Sequence, residues 1–227
     1  MIDFIRFPHT PHIAWLADRE PRADKVMSRA EAGEFLAEPV VVEEKVDGAN
    51  LGFSFDEDGE LQIQNRGGHI VAPFAGQFSR LEDWLALNQD RLFDALEIRL
   101  ILFGEWCAAT HSLDYDHLPD WFLGFDVYDR EARRFWSTGR RDVLLRELGL
   151  ATMPRVGQGR FTLAQLVQWL DEESSRFRDG PLEGFYLRRN AGDFLQARAK
   201  LVRAEFNQAI DDHWRQRSIQ WNRRHFG

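Results

Sequence analysis

The sequence predicts an α+β fold with antiparallel sheets, and three observations lead there. Short runs of β-branched and apolar residues recur between glycine- and aspartate-rich turns. Capped helical stretches fall between those runs at irregular intervals, not in the strict strand–helix alternation of a doubly wound parallel sheet. No composition shift or long linker splits the 227 residues. In chain order, PVVVEEK (39–45), NLGFSF (50–55) and ELQIQN (60–65) read as a strand meander, parted at Gly48 and at DEDG (56–59). Ser79-x-x-Glu82 has the form of a capping box opening a helix through Trp84, Leu85, Leu92 and Phe93. Residues 97–106 and 120–129 read as buried strands, and 137–149 as a helix stopping at Gly149. Thr162-x-x-Gln165 opens a further helix with Leu163, Leu166, Val167 and Leu170 on one face. Residues 182–189 and 193–200 form a hairpin around Asn190-Ala191-Gly192. A closing helix is expected to carry Phe206, Ile210, Trp214 and Trp221. The only soft spot, MPRVGQGR (153–160), is short, so 1–227 is expected to be one domain with a short N-terminal extension and a C-terminal helix.

Composition narrows the function classes. A chain 44% hydrophobic and 29% charged is neither disordered nor fibrous. No apolar run approaches the ~18 residues of a membrane helix, and the opening MIDFIRFPHTPHIAW lacks the pattern of a signal peptide. The single cysteine, Cys107, excludes an internal disulfide framework and suits a reducing cytoplasm. A net charge of −8 excludes a uniformly basic nucleic-acid coat but leaves room for a local basic groove. No Gly-x-x-x-x-Gly-Lys-[Ser/Thr] loop, zinc-type Cys/His spacing or nucleophile elbow is present.

Lysine usage is more telling. Lysine stands only at 25, 45 and 200, and the other basic residues are all arginine. A guanidinium stays protonated, whereas an ammonium can lose its proton and attack an electrophile, so a lysine kept in this background is a candidate nucleophile. Lys45 ends an apolar run before Gly48, at the rim of a pocket. A second cation nearby would lower its pKa.

The segments Glu44-Lys45-Val46-Asp47-Gly48-Ala49-Asn50, Asn65-Arg66-Gly67-Gly68, Phe103-Gly104-Glu105-Trp106, Phe122 to Asp129, Glu183-Gly184-Phe185-Tyr186 and Gln196 to Lys200 follow in order. In this series the chain resembles the covalent nucleotidyltransferase superfamily of polynucleotide ligases and mRNA capping enzymes. Within it, the likeness is to ATP-dependent RNA ligases of T4-like phages and many bacteria, over about residues 40 to 206. The resemblance implies an adenylation domain of antiparallel sheets flanked by helices, with a central nucleotide pocket. It implies that Lys45 attacks the α-phosphate of ATP, leaving AMP covalently on the lysine. Lys200 would contact that phosphate and depress the pKa of Lys45, with Arg198 beside it on the nucleotide. Glu183 would bind Mg2+ or Mn2+, a hard cation suited to carboxylate oxygen. Glu105 and Arg66 would hold the ribose, Phe125 would stack on adenine, and Glu44 lies where the adenine-contacting residue lies. Each has a plainer reading: Glu105 and Glu183 as strand-end carboxylates, Phe125 as core, Arg66 as turn decoration, Arg198 and Lys200 as one face of an edge strand.

Asn50, five residues beyond the nucleophile, separates branches of the superfamily. DNA ligases and capping enzymes typically carry arginine there (Lys-x-Asp-Gly-x-Arg), and the RNA ligases resembled here carry asparagine. Asp47 suits the DNA-ligase pattern. Arg198 departs from the phage type, which has lysine at that position. The 27 residues after Lys200 are too few for the appended OB-fold domain of DNA ligases. Asn50, Arg188, Arg189 and Arg203 are expected to meet nucleic acid. The tail 213–227, with Trp214, Trp221, Arg223 and Arg224, reads equally as a nucleic-acid contact or as a solvated amphipathic closing helix. The implied function is RNA joining in repair, acting on RNA or on a nicked or hybrid duplex, with a separate end-healing kinase or phosphatase as partner and no membrane. A DNA ligase using the same first step, and a catalytically silent nucleic-acid-binding module, remain the alternatives.

Overall fold

In the computed structural model, which describes residues 4–18, 25–208 and 219–225, the chain is built on two antiparallel sheets. The first has the order β7 (Arg155–Gly159), β1 (Val40–Lys45), β8 (Gly184–Ala191), β9 (Phe194–Val202). The second has the order β3 (Leu61–Gln64), β2 (Ala49–Phe55), β4 (Leu100–Trp106), β5 (Phe122–Asp129), β6 (Arg134–Phe135). The expected three-strand meander is therefore corrected. β1 pairs with β7 and β8, while β2 and β3 belong to the other sheet. Residues 46–48 carry the chain from one sheet to the other.

Strand alternation divides each sheet into an outer and an inner face. On the first sheet Val40, Val42, Phe185, Leu187, Ala199 and Leu201 point outward. They pack with α1 (Arg29–Leu36) and α4 (Leu163–Glu172) through Phe35, Leu166 and Leu170. On the second sheet Leu51, Phe53 and Phe122 meet Leu81, Trp84 and Leu92 of α2 (Leu81–Leu96), with the Phe53 and Trp84 rings stacked at 5.2 Å. The inner faces enclose polar groups and leave a cleft.

α4 opens with the capping box expected at Thr162 and Gln165. α3 (Thr138–Glu147) is capped by Ser137, and Gly149 beyond it sits at φ +64°, a left-handed turn suited to glycine. α2 departs from expectation. Ser79 ends a short 3-10 turn, and the helix starts two residues later, without a side-chain cap. Residues 153–160, read above as a soft spot, supply edge strand β7. Helix α1 was not anticipated, although its cap Ser28 and Glu31 form a capping box. Among the described residues the expected closing helix appears as α5 (Ala204–Gln208). Ile210 and Trp214 lie outside the described residues, and Trp221 bridges to Ala109 in extended chain. No helix among the described residues is long and apolar enough to cross a membrane.

The N-terminal segment straps the two sheets together. Ile5 O accepts from Gln64 Nε2 at 2.8 Å, and Arg66 O accepts from Arg6 Nε at 2.9 Å. Further along, Lys200 N donates to Pro11 O and Ile13 N to Lys200 O, adding a single parallel bridge to β9. Between these points Phe7 is buried against Phe103, Phe125 and Phe135.

Candidate active site

Lys45 is the last residue of β1 and points into the cleft. Its Nζ donates to both carboxylate oxygens of Glu183, at 2.7 and 2.6 Å. Glu183 immediately precedes β8, and Gly184 is the cross-strand neighbour of Lys45. A Cβ on Gly184 would lie 2.3 Å from Leu201 O, so β8 and β9 close up here only around glycine. Burial alone would push the Lys45 ammonium down. The charges of Glu183, Asp47 and Tyr186 outweigh it and hold the group above the ordinary lysine range. The expectation that a neighbouring cation depresses this pKa is thus corrected: Lys45 is held as a charged ion pair with Glu183.

Facing it from the second sheet are Asn50 and Glu105, paired across β2 and β4. Glu105 Oε1 accepts from Gly48 N at 3.2 Å. Burial pushes the Glu105 carboxyl up to about 8, with the charge of Lys45 opposing. Both amide atoms of the Asn50 side chain are buried without a hydrogen-bond partner. An unsatisfied buried amide costs about 1–3 kcal/mol, so its place facing Glu105 suits a group that binds there. Asp47 is fixed by Ser112, whose N donates to Oδ2 at 2.8 Å and whose Oγ also reaches it. Asp47 N donates to the Tyr115 hydroxyl at 2.9 Å. Arg66 follows β3, and its charge bears on Glu105 and on Tyr186. Tyr186 and Lys200 are cross-strand neighbours beside Glu43 on the inner face. Lys45, Asn50, Arg66, Glu105, Glu183 and Lys200 therefore surround one cleft.

Other expected site residues lie elsewhere. Glu44 alternates to the outer face of β1, where Ser175 Oγ and Arg176 N donate to its carboxylate at 2.5 and 2.9 Å. It does not share the face of Lys45. Phe125 is a core ring, 4% exposed, with the Phe7 ring edge-on at 5.2 Å. Arg198 turns inward, donating to Asp126 at 2.6 Å while lying over the rings of Phe7 and Phe135. The three arginines expected to meet nucleic acid are held by protein groups in the structure. Arg188 is 2% exposed and holds Glu43 at 2.5 Å and Asp126 at 2.8 Å. Arg189, on the opposite face, donates to Glu34 O of α1 at 2.9 Å. Arg203 donates to Leu170 O and Glu173 O at the end of α4. Of the tail, Trp214 lies outside the described residues.

Sequence reasoning missed the network behind the cleft. Glu43, two residues before Lys45 on the same face, is also held by Arg141 of α3 at 2.5 Å. Arg141 Nη1 donates to Phe125 O at 2.7 Å. Asp126 joins β5 to Arg188 of β8 and Arg198 of β9. These ion pairs tie the inner faces of the two sheets together at the closed end of the cleft.

Residues 38–202 match the model of the RNA ligase family. The chain belongs to the RNA ligase family. Among solved structures, this RNA ligase family chain is similar to an archaeal ATP-dependent RNA ligase, with TM-score 0.63 and 20% identity over 88% of this chain and 48% of that one. It is also similar to a Naegleria gruberi RNA ligase variant with ATP and Mn, with TM-score 0.57 and 16% identity over 79% of this chain and 54% of that one. A protein from Aquifex aeolicus described as a candidate ATP-dependent DNA ligase aligns with TM-score 0.58 and 20% identity, over 88% and 50% of the two chains. At these identities the likeness establishes the shared fold. The chain spans about half the length of these solved structures. Comparison with curated proteins found no match.

Proposed function

We propose that this RNA ligase family member is an ATP-dependent RNA ligase whose described residues form its adenylation domain, with Lys45 as the nucleophile. The observation that carries this reading is a lysine held at 2.6 Å from a buried carboxylate, facing Asn50 and Glu105 across an inter-sheet cleft. It stands in a chain whose residues 38–202 match the family.

Nζ of Lys45 forms a bond to the α-phosphorus of ATP as the bond to the bridging oxygen breaks, and pyrophosphate leaves. AMP then passes from Lys45 to an RNA 5′-phosphate, and a 3′-hydroxyl displaces AMP to make the phosphodiester. Before the first step Lys45 has to part from Glu183 and shed a proton, because an ammonium has no lone pair to offer. Lys200 supplies a cation for the developing phosphate charge. Asn50 offers its unpartnered amide, and Glu105 and Arg66 lie where they can hold the nucleoside.

Among the described residues no three acidic, histidine or cysteine side chains are gathered to bind a metal by themselves. Mg2+ or Mn2+ needs only one or two protein carboxylates when nucleotide phosphates and water complete its shell, and Glu183 provides one. A cation there would supply neutralisation of phosphate charge. Breaks that leave a 5′-hydroxyl or a phosphorylated 3′ end need a kinase or phosphatase before joining, so a separate end-healing enzyme fits a role in RNA repair. The buried thiol of Cys107 suits a reducing cytoplasm.

The test is covalent labelling with α-labelled ATP in Mg2+ or Mn2+. Label on the wild type, absent from both Lys45→Ala and Lys45→Arg, supports the reading. Label retained by Lys45→Arg overturns the nucleophile, and no label on the wild type leaves a catalytically silent binding module. Sealing of an all-DNA nick as fast as one with a ribonucleotide 3′ end would make the protein a DNA ligase.

A further inference from the structure

Residues 219–225 return to the end of the second sheet and build a surface that the adenylation chemistry does not use. Asn222, 3% exposed, is the pin. Its Nδ2 donates to Cys107 O at 2.8 Å and Ala109 O at 3.2 Å. Its Oδ1 accepts from Thr110 Oγ1 and Tyr115 N, both at 2.9 Å. On either side of this pin Trp221 and Arg223 face outward, the Trp221 residue 37% exposed and the Arg223 side chain 77% exposed.

The side chains then form a ladder. The Arg80 guanidinium lies 4.4 Å from the Trp221 ring and 4.9 Å from the Trp121 ring, and Arg224 lies 4.8 Å from the Trp121 ring. Indoles and guanidinium planes thus alternate along one wall of a groove of about 630 Å³. Three arginines line it against one aspartate, Asp83, in a chain of net charge −8. Arg224 also approaches Asp120 at 3.6 Å, and Arg223 approaches Asp116 at 3.9 Å.

We infer that this groove holds a single-stranded stretch of RNA, one base stacking on the open part of Trp221 and phosphates meeting Arg223 and its neighbours. Aromatic platforms set among cations bind single strands irrespective of sequence, because every base has a π-face and every nucleotide a phosphate. A duplex keeps its bases stacked on each other and cannot use the indole. The groove is also joined to the nucleophile turn through one residue. Tyr115 holds Arg223 by its backbone carbonyl, at 2.8 Å from Arg223 N, while its hydroxyl accepts from Asp47 N, two residues past Lys45. This inference rests on the RNA ligase reading above.

The experiment measures fluorescence anisotropy of a labelled single-stranded oligoribonucleotide of about 12 nucleotides, with Lys45 labelling by ATP followed in the same preparations. Trp221→Ala is expected to weaken binding roughly tenfold, and Trp221→Phe to retain most of it. Arg223→Gln is expected to reduce the slope of log affinity against log salt by about 1. Labelling of Lys45 should stay at the wild-type level in all three. If these variants label normally and bind the single strand as the wild type does, the groove is not the RNA site and the ligase reading stands. Equal losses for a duplex RNA of the same length would overturn the single-strand assignment. Absence of label in the wild type would instead sink the ligase reading beneath it. Trp221→Phe and Arg223→Gln keep the test decisive if Trp221→Ala loses its fold.

Discussion

Replacing Glu43 by glutamine should destabilise the protein at neutral pH and have almost no effect in strong acid. Glu43 is fully buried between Arg141 and Arg188. Burial alone raises a carboxyl pKa, but the two guanidinium charges overcome it and bring the group from 4.5 to about 2. A carboxylate depressed in the fold adds stability that is complete above its unfolded pKa, declines as pH falls through the interval between the two values, and is gone below the folded one. Here the window runs from about 4.5 down to about 2. The shift corresponds to roughly 3 kcal/mol at 1.36 kcal/mol per pH unit. That is a large share of a typical total of about 5–15 kcal/mol. Urea unfolding of wild type and Glu43→Gln at several pH values between 7 and 2 measures it. The two stabilities should differ by about 3 kcal/mol at pH 7 and converge near pH 2. A difference that is already absent at pH 7, or that persists unchanged at pH 2, would refute the claim that the charge on Glu43 holds these arginines. Glu43 is two residues before Lys45 on the same face, so the variant should also lose adenylation at neutral pH beyond what its unfolded fraction explains.

Other outcomes follow from single contacts. Phe125→Ala should cost about 3–5 kcal/mol in thermal or urea unfolding, as for a buried ring; a fully stable variant with only a raised KM for ATP would restore an open stacking role. Asn222→Ala leaves the Tyr115 amide and the Cys107 carbonyl without partners and should cost about 1–3 kcal/mol, with limited proteolysis appearing first within 219–225; an unchanged digestion pattern counts against Asn222 as the pin. Gly48→Ala would bring a Cβ to 2.6 Å from Trp106 O and 3.0 Å from Glu105 Cγ. Labelling of Lys45 should then fall well below wild type in a sample whose circular dichroism is intact, and normal labelling would show that the turn has slack.

How far the sequence could be read depends on the range over which each signal acts. The capping-box pattern is local, and at Thr162 it marks a helix start correctly. The same pattern at Ser28 and Glu31 was there to be read and marks α1. At Ser79 it misleads, because the preceding 3-10 turn uses that serine as its end and the helix begins at Leu81. The motif series located Lys45, Asn50, Arg66, Glu105, Glu183 and Lys200, which the fold gathers around one cleft. The protein partners of the arginines were illegible for a different reason. Alternation along 183–203 separates the two faces of a strand but does not say what stands opposite. Glu43, which takes Arg188, lies 145 residues away in the chain, and Asp126 lies 62 away. Arg141, 98 residues from Glu43, carried no local signal. A buried arginine with partners this distant is indistinguishable in sequence from one awaiting a phosphate.

The turn at 46–48 explains why so much of the polar interior serves position. Lys45 belongs to one sheet and Asn50 to the other, so any relative sliding of the sheets changes the distance between the amine and the groups facing it. Two apolar faces in contact would resist separation but not sliding, because dispersion and hydrophobic burial have little directionality. Ion pairs with fixed fork geometry do resist it. Asp126 binds two arginines of the opposite sheet, Glu43 binds one from its own sheet and one from α3, and α3 in turn holds the carbonyl of Phe125. The desolvation cost of burying these charges makes them a poor choice for stability alone. It is intelligible if what they hold constant is the placement of Lys45 and Glu183 relative to Asn50 and Glu105, a separation that in-line attack on a phosphate tolerates only within a fraction of an ångström.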